Sequence, residues 1–85
     1  MNKTYVNINS VEKVKSFVNK LISLLCDADL VSGRYVVDAK SIMGIFSLDL
    51  SKPVELRLYA QSYEIEKALD LVKEFITVEE PQEEN

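Results

Sequence analysis

Histidine is absent from this chain of 85 residues, and cysteine occurs once. Without an imidazole there is no histidine general base, metal ligand or phosphoryl acceptor, and Ser-His-Asp and Cys-His catalysis are both excluded. One cysteine cannot build a zinc site. Nor can it close an intramolecular disulfide, which argues against an oxidising compartment. Glycine is almost as scarce. Gly33 and Gly44 are the only two, which disfavours a small-molecule sensing domain of the ferredoxin-like or amino-acid-binding type with its Gly-rich ligand loops. No apolar run approaches the roughly 20 residues of a membrane span, and residues 1–8 lack a signal peptide's apolar core. The expectation is a cytoplasmic protein without membrane contact. No convergent acid and base is visible, so the chain is expected to be no enzyme and to need neither cofactor nor metal.

The length allows one domain, which buries roughly 60–65% of its unfolded surface, so each large apolar residue counts. The net charge is −4, and Glu79, Glu80, Glu83 and Glu84 account for it: residues 1–78 hold ten acids against ten bases. The chain therefore divides into a neutral domain over residues 1–78 and an acidic tail over residues 79–85, which reads as solvated and disordered. With no excess of positive charge, direct binding to nucleic acid lacks its electrostatic drive.

Thr4, Val6 and Ile8 alternate with Tyr5 and Asn7, the pattern of a half-buried strand. Asn9 and Ser10 then compete to cap a helix, Asn9 with Glu12 in capping-box spacing. The helix face is Val11, Val14, Phe17, Val18, Leu21, Ile22, Leu24 and Leu25, which predicts a helix ending near Leu25. Cys26, flanked by leucines, reads as an inert packing thiol. Residues 28–38 form a hairpin with arms Leu30-Val31 and Tyr35-Val36-Val37 turning at Ser32-Gly33, and Asp27 and Asp29 precede its first arm in a solvated loop that lacks the other oxygens of a calcium site. Ser41 is the natural N-cap of a short helix carrying Ile42, Met43, Ile45, Phe46 and Leu48. Gly44 inside it signals either a close approach to the backbone or a helix too short to be harmed. Residues 54–60 alternate cleanly as a strand. A last helix presents Ile65, Ala68, Leu69, Val72, Phe75 and Ile76. The order β-α-β-β-α-β-α predicts an α+β open-faced sandwich, a four-stranded antiparallel sheet with three helices on one face.

The run Ala39-Lys40-Ser41-Ile42-Met43-Gly44-Ile45-Phe46-Ser47-Leu48 resembles HPr, the histidine-containing phosphocarrier of the bacterial sugar phosphotransferase system. Lys-Ser-Ile-Met-Gly is its specific part. The order of elements, Phe17-Val18 in the first helix and Ala68-Leu69 in the last support the likeness over residues 1–78. The departure is as telling. The family carries Gly-Leu-His-Ala-Arg-Pro where the first helix begins, and that His receives and passes on a phosphoryl group. Counting back from Phe17-Val18 puts Ser10 at the His position, Glu12 at the Arg position and Lys13 at the Pro position. A one-residue shift supplies no His either. A phosphoserine is a stable ester and not a labile N–P species, and Glu12 is an anion where the family uses a cation. Ser10, Glu12 and Lys13 thus read as a degenerate phosphocarrier site, with Ser10 a cap or a loop residue. There the chain resembles the catabolite-repression paralogues of HPr.

The resemblance implies a second site. In many Gram-positive members the Ser of Lys-Ser-Ile-Met-Gly, here Ser41, is phosphorylated by an HPr kinase/phosphorylase, and a catabolite-control transcription factor reads the product. A phosphate there would meet helix N–H groups with Lys40 adjacent. Lys40, Ile42, Met43 and Phe46 would form the partner-binding surface. So apolar a short helix cannot bury every side chain, and one or two should be exposed. The alternative is a constitutive interaction or dimerisation module with the same fold and no phosphorylation, as a monomer or weak homodimer.

Overall fold

A computed structural model describes residues 2–78; the acidic tail over 79–85 lies outside the described residues. The elements are β1 (Asn2–Val6), α1 (Val11–Leu21), β2 (Asp27–Ser32), β3 (Tyr35–Asp38), α2 (Ile42–Ile45), β4 (Val54–Tyr59) and α3 (Ser62–Leu71). A 3₁₀ turn (Lys73–Phe75) and β5 (Ile76–Thr77) follow. The sheet order is β3-β2-β4-β1-β5, every neighbouring pair antiparallel.

Alternation decides which face is covered. Val6 on β1, Ala28 and Leu30 on β2, and Val54, Leu56 and Leu58 on β4 are buried, while their neighbours in sequence point to the open face. Onto this surface α1 sets Val14, Phe17, Val18 and Leu21, α2 sets Ile45 and α3 sets Ala68, and among the described residues every buried one is apolar. Each fully buried Phe, Leu or Ile contributes about 1.5–3 kcal/mol. Phe17 also meets Phe75 edge to face, centroids 5.7 Å apart. Cys26 is buried in this core, as a packing thiol would be.

The sheet has five strands and not four, because the last apolar stretch is not one helix. α3 stops at Leu71, with Val72 as its C-cap; Phe75 turns in against Phe17, and the β-branched pair Ile76-Thr77 joins the edge of β1. α1 ends at Leu21 and not near Leu25. Ser23 Oγ donates to the Lys20 carbonyl at 3.0 Å and Leu24 N–H to that of Leu21 at 2.9 Å, so the last turn is closed by tighter bonds. Leu25 is left 97% exposed.

The hairpin turns at Gly33-Arg34, one residue beyond the expected pair, because Ser32 lies opposite Tyr35. Gly33 has φ +59°, the first central position of a II′ turn, where a side chain would be strained. Asp27 and Asp29 belong to β2 itself and not to a loop before it. Finally, β1 closes at Val6, so Ile8 is buried beyond the strand's end, and β4 stops at Tyr59 before Ala60.

Candidate functional site

The two serines singled out by sequence both sit at helix starts. Ser10 wins the contest with Asn9: its backbone is extended and its Oγ accepts the Lys13 N–H at 3.2 Å. Asn9 instead accepts a hydrogen bond from Lys13 Nζ, 3.1 Å away. Ser10, Glu12 and Lys13 therefore do come together, in one exposed, mixed-charge turn. Phe17 and Val18, the residues that set this register, are buried in the core.

Ser41 is half-buried and caps α2 by accepting the Gly44 N–H on Oγ at 3.1 Å. Its own N–H donates to the Asp38 carbonyl at 3.0 Å, and its carbonyl accepts from Ile45 at 3.0 Å. These bonds tie the serine both to the end of β3 and to the helix it starts. Gly44 has a specific reason to be glycine. A Cβ there would lie 3.2 Å from Ser41 Oγ and 3.3 Å from Val37 Cβ, so its absence lets α2 lie close against β3.

The expected partner surface divides. Met43 is 82% exposed and Phe46 42% exposed, while Ile42 is half-buried against the core. Lys40 is not poised over the serine: its Nζ donates to the Leu24 carbonyl at 2.6 Å, which pins the segment after α1 to the start of α2. Leu25 and Ile22 continue the apolar period of α1 in the sequence, yet they are 97% and 62% exposed, and the Lys40 bond brings their segment beside α2. The exposure of Leu25 follows from the early end of α1, for which the Ser23 side chain is the local signal; Ile22, still helical as the C-cap, lies off the buried stripe.

Among the described residues no group of His, Cys, Asp and Glu could hold a metal ion, and no helix is long and apolar enough to cross a membrane.

The chain is thus an open-faced α+β sandwich with two serine-capped helices and exposed apolar side chains beside the second. A family model of the PTS-HPr family, described as the PTS HPr component phosphorylation site, matches residues 9–78, and the chain belongs to that family. Solved structures agree on the fold. HPr-C-His from Thermoanaerobacter tengcongensis superposes with a TM-score of 0.69 at 24% identity, over 86% of this chain and 92% of that one. The phosphocarrier protein HPr from Bacillus anthracis str. Ames gives 0.67 at 20% identity, over 89% and 94%. A search of curated proteins found no match.

Proposed function

We propose that this chain is a non-catalytic regulatory member of the HPr family, unable to act as a His phosphocarrier, whose signal is a phosphate on Ser41 read by a protein partner in carbon-source regulation. One observation carries the proposal: a family defined by a phosphorylated histidine is represented here by a chain with no histidine, while Ser41 caps α2 beside exposed Met43 and Phe46.

The chemistry is a phosphoryl transfer. Ser41 Oγ attacks the γ-phosphorus of ATP, the bond to the β-phosphate oxygen breaks, ADP leaves, and the hydroxyl proton passes to the kinase. The new phosphate adds about 1.5–2 negative charges and strong acceptors beside the Gly44 N–H that the hydroxyl now holds. α2 spans only four residues, so its dipole is small, and the main effect is a charge set next to an apolar surface. Ser10 is not favoured as an acceptor, because Glu12 offsets the cation Lys13 in the same turn and the resemblance puts the phosphorylated serine at Ser41. An HPr kinase/phosphorylase would supply the phosphate, and a catabolite-control transcription factor is the reader the resemblance suggests.

Incubation with such a kinase and ATP, followed by intact mass and peptide mapping, tests the reading. One phosphate is expected, mapped to Ser41 and lost in Ser41→Ala. No phosphate, or one that survives Ser41→Ala, would sink it. The second reading, a constitutive interaction or dimerisation module, draws on Lys40, whose ammonium sits on the Leu24 carbonyl and offers Ser41 no ready counter-charge. A partner that binds modified and unmodified chain equally would favour it.

A further inference from the structure

The sheet face turned away from the helices carries two rows of side chains, each running straight across four strands. One row reads Lys3, Arg57, Asp29, Asp38 on β1, β4, β2 and β3. The next reads Tyr5, Glu55, Val31, Val36 on the same strands. In the charged row both cations stand on one half of the sheet and both anions on the other. Only the central contact, Arg57 against Asp29, joins opposite signs. Lys3 faces Arg57 and Asp29 faces Asp38, and like charges directly opposite one another destabilise a sheet.

Local bonds relieve part of this. Arg57 Nε is paired with Glu55, which holds the guanidinium's pKa above its ordinary value. Tyr59 Oη donates to Asp29 Oδ2 at 3.1 Å, and Asp38 Oδ1 accepts the Lys40 N–H at 2.8 Å. The end members, Lys3 and Asp38, stay exposed.

A row that reads plus, plus, minus, minus is its own complement when turned end for end. A twofold axis parallel to the strands and midway between two such faces lays β1 over β3 of a second copy, and β4 over its β2. Lys3 then meets Asp38 and Arg57 meets Asp29, each contact made twice, as an isologous interface requires. In the neighbouring row Tyr5 falls on Val36, an apolar contact flanking the charges, and Glu55, paired with its own Arg57, falls on Val31.

We propose that the open sheet face joins two copies of this chain in a weak, salt-sensitive homodimer, four layers deep with helices outermost. Face-to-face sheets with roughly aligned strands are an ordinary packing mode. The proposal does not depend on the Ser41 reading. It does leave both α2 surfaces outside and facing apart, so the dimer would present two copies of that surface to a partner at once.

Sedimentation velocity on the full chain, over a concentration series at low and high salt, tests it. A dimer is expected at low salt, with its dissociation constant rising about tenfold as roughly 0.5 M salt shortens the screening length well below its 10 Å value at 0.1 M. Lys3→Asp or Asp38→Lys alone sets like charges together twice across the interface and should weaken the dimer about tenfold. An equimolar mixture of these two single variants regains complementarity at every position of one pairing, and so does the double variant with itself. Within one chain the two residues lie three strand spacings apart, about 14 Å, so rescue on mixing can arise only between chains. Thermal melts monitored by circular dichroism would confirm that the variants stay folded. A chain that is monomeric throughout overturns the proposal. So does a dimer indifferent to both reversals, or a mixture that shows no rescue.

Discussion

Ser10 and Ser41 make the same local structure and belong to different kinds of surface. Each is an extended residue whose hydroxyl accepts the amide three residues on, at 3.2 Å for Ser10 and 3.1 Å for Ser41. α1 then runs for eleven residues and buries four, whereas α2 runs for four and buries only Ile45. The first helix is held by the core whatever its cap does. The second is held by its cap, by the fit of Gly44 against Val37 and by one buried side chain. A motif that ornaments a stable helix at one end of the chain is structural at the other. On the proposed reading, charge added at Ser41 would fall beside exposed Met43 and Phe46, while charge added at Ser10 would fall in a turn that holds both Glu12 and Lys13.

This contrast can be broken by mutation. Ser41→Ala should destabilise the fold by about 1–2 kcal/mol and Ser10→Ala by about 0.5–1 kcal/mol, the upper and lower parts of the usual cap range. Urea melts of the two variants check the order, and a larger loss at Ser10 would refute it. Gly44→Ala should cost about 1 kcal/mol through overpacking, although alanine is the better helix former. Val37 Cβ belongs to a strand and cannot easily move aside, and a one-turn helix gains little from propensity. A stabilised Gly44→Ala would mean that α2 shifts freely on β3. Met43→Ser should change stability by no more than about 0.5 kcal/mol, being at an exposed position. Weakened partner binding with unchanged melting would then mark the residue as part of the contact surface.

The two helix starts also show what sequence could and could not tell. Ser41 as the cap of α2, the buried face of α1 from Val14 to Leu21, and the alternation of β4 are all local patterns, and the structure reproduces them. The misses share one cause, competition between a local pattern and distant contacts. Leu24 and Leu25 continue the period of α1, but the side chain of Ser23 and the ammonium of Lys40 take up carbonyls there and end the helix early. Ile76 continues the period of α3, but Phe75 is drawn to Phe17, its carbonyl accepts the Asn7 N–H at 2.8 Å, and the chain joins β1. The charged row on the open face could not be read at all before the register was known, because its four members are scattered over residues 3 to 57.

The smallest expected effect concerns the exit from the α2 segment. Asp49 accepts hydrogen bonds from Ser51 Oγ at 2.6 Å and Ser51 N–H at 3.1 Å, and these, with the charge of Lys52, hold its carboxyl below the ordinary value of 3.8. A carboxyl whose folded pKa is depressed stabilises the fold above its unfolded pKa, and that contribution is lost as the pH falls through the folded value. The group is fully exposed, so the effect is confined to its loop. An NMR titration should give the Ser51 amide an acid midpoint below the ordinary carboxylate value, and Asp49→Asn should abolish it. A midpoint at or above the ordinary value would show that the Ser51 bonds do not persist in solution.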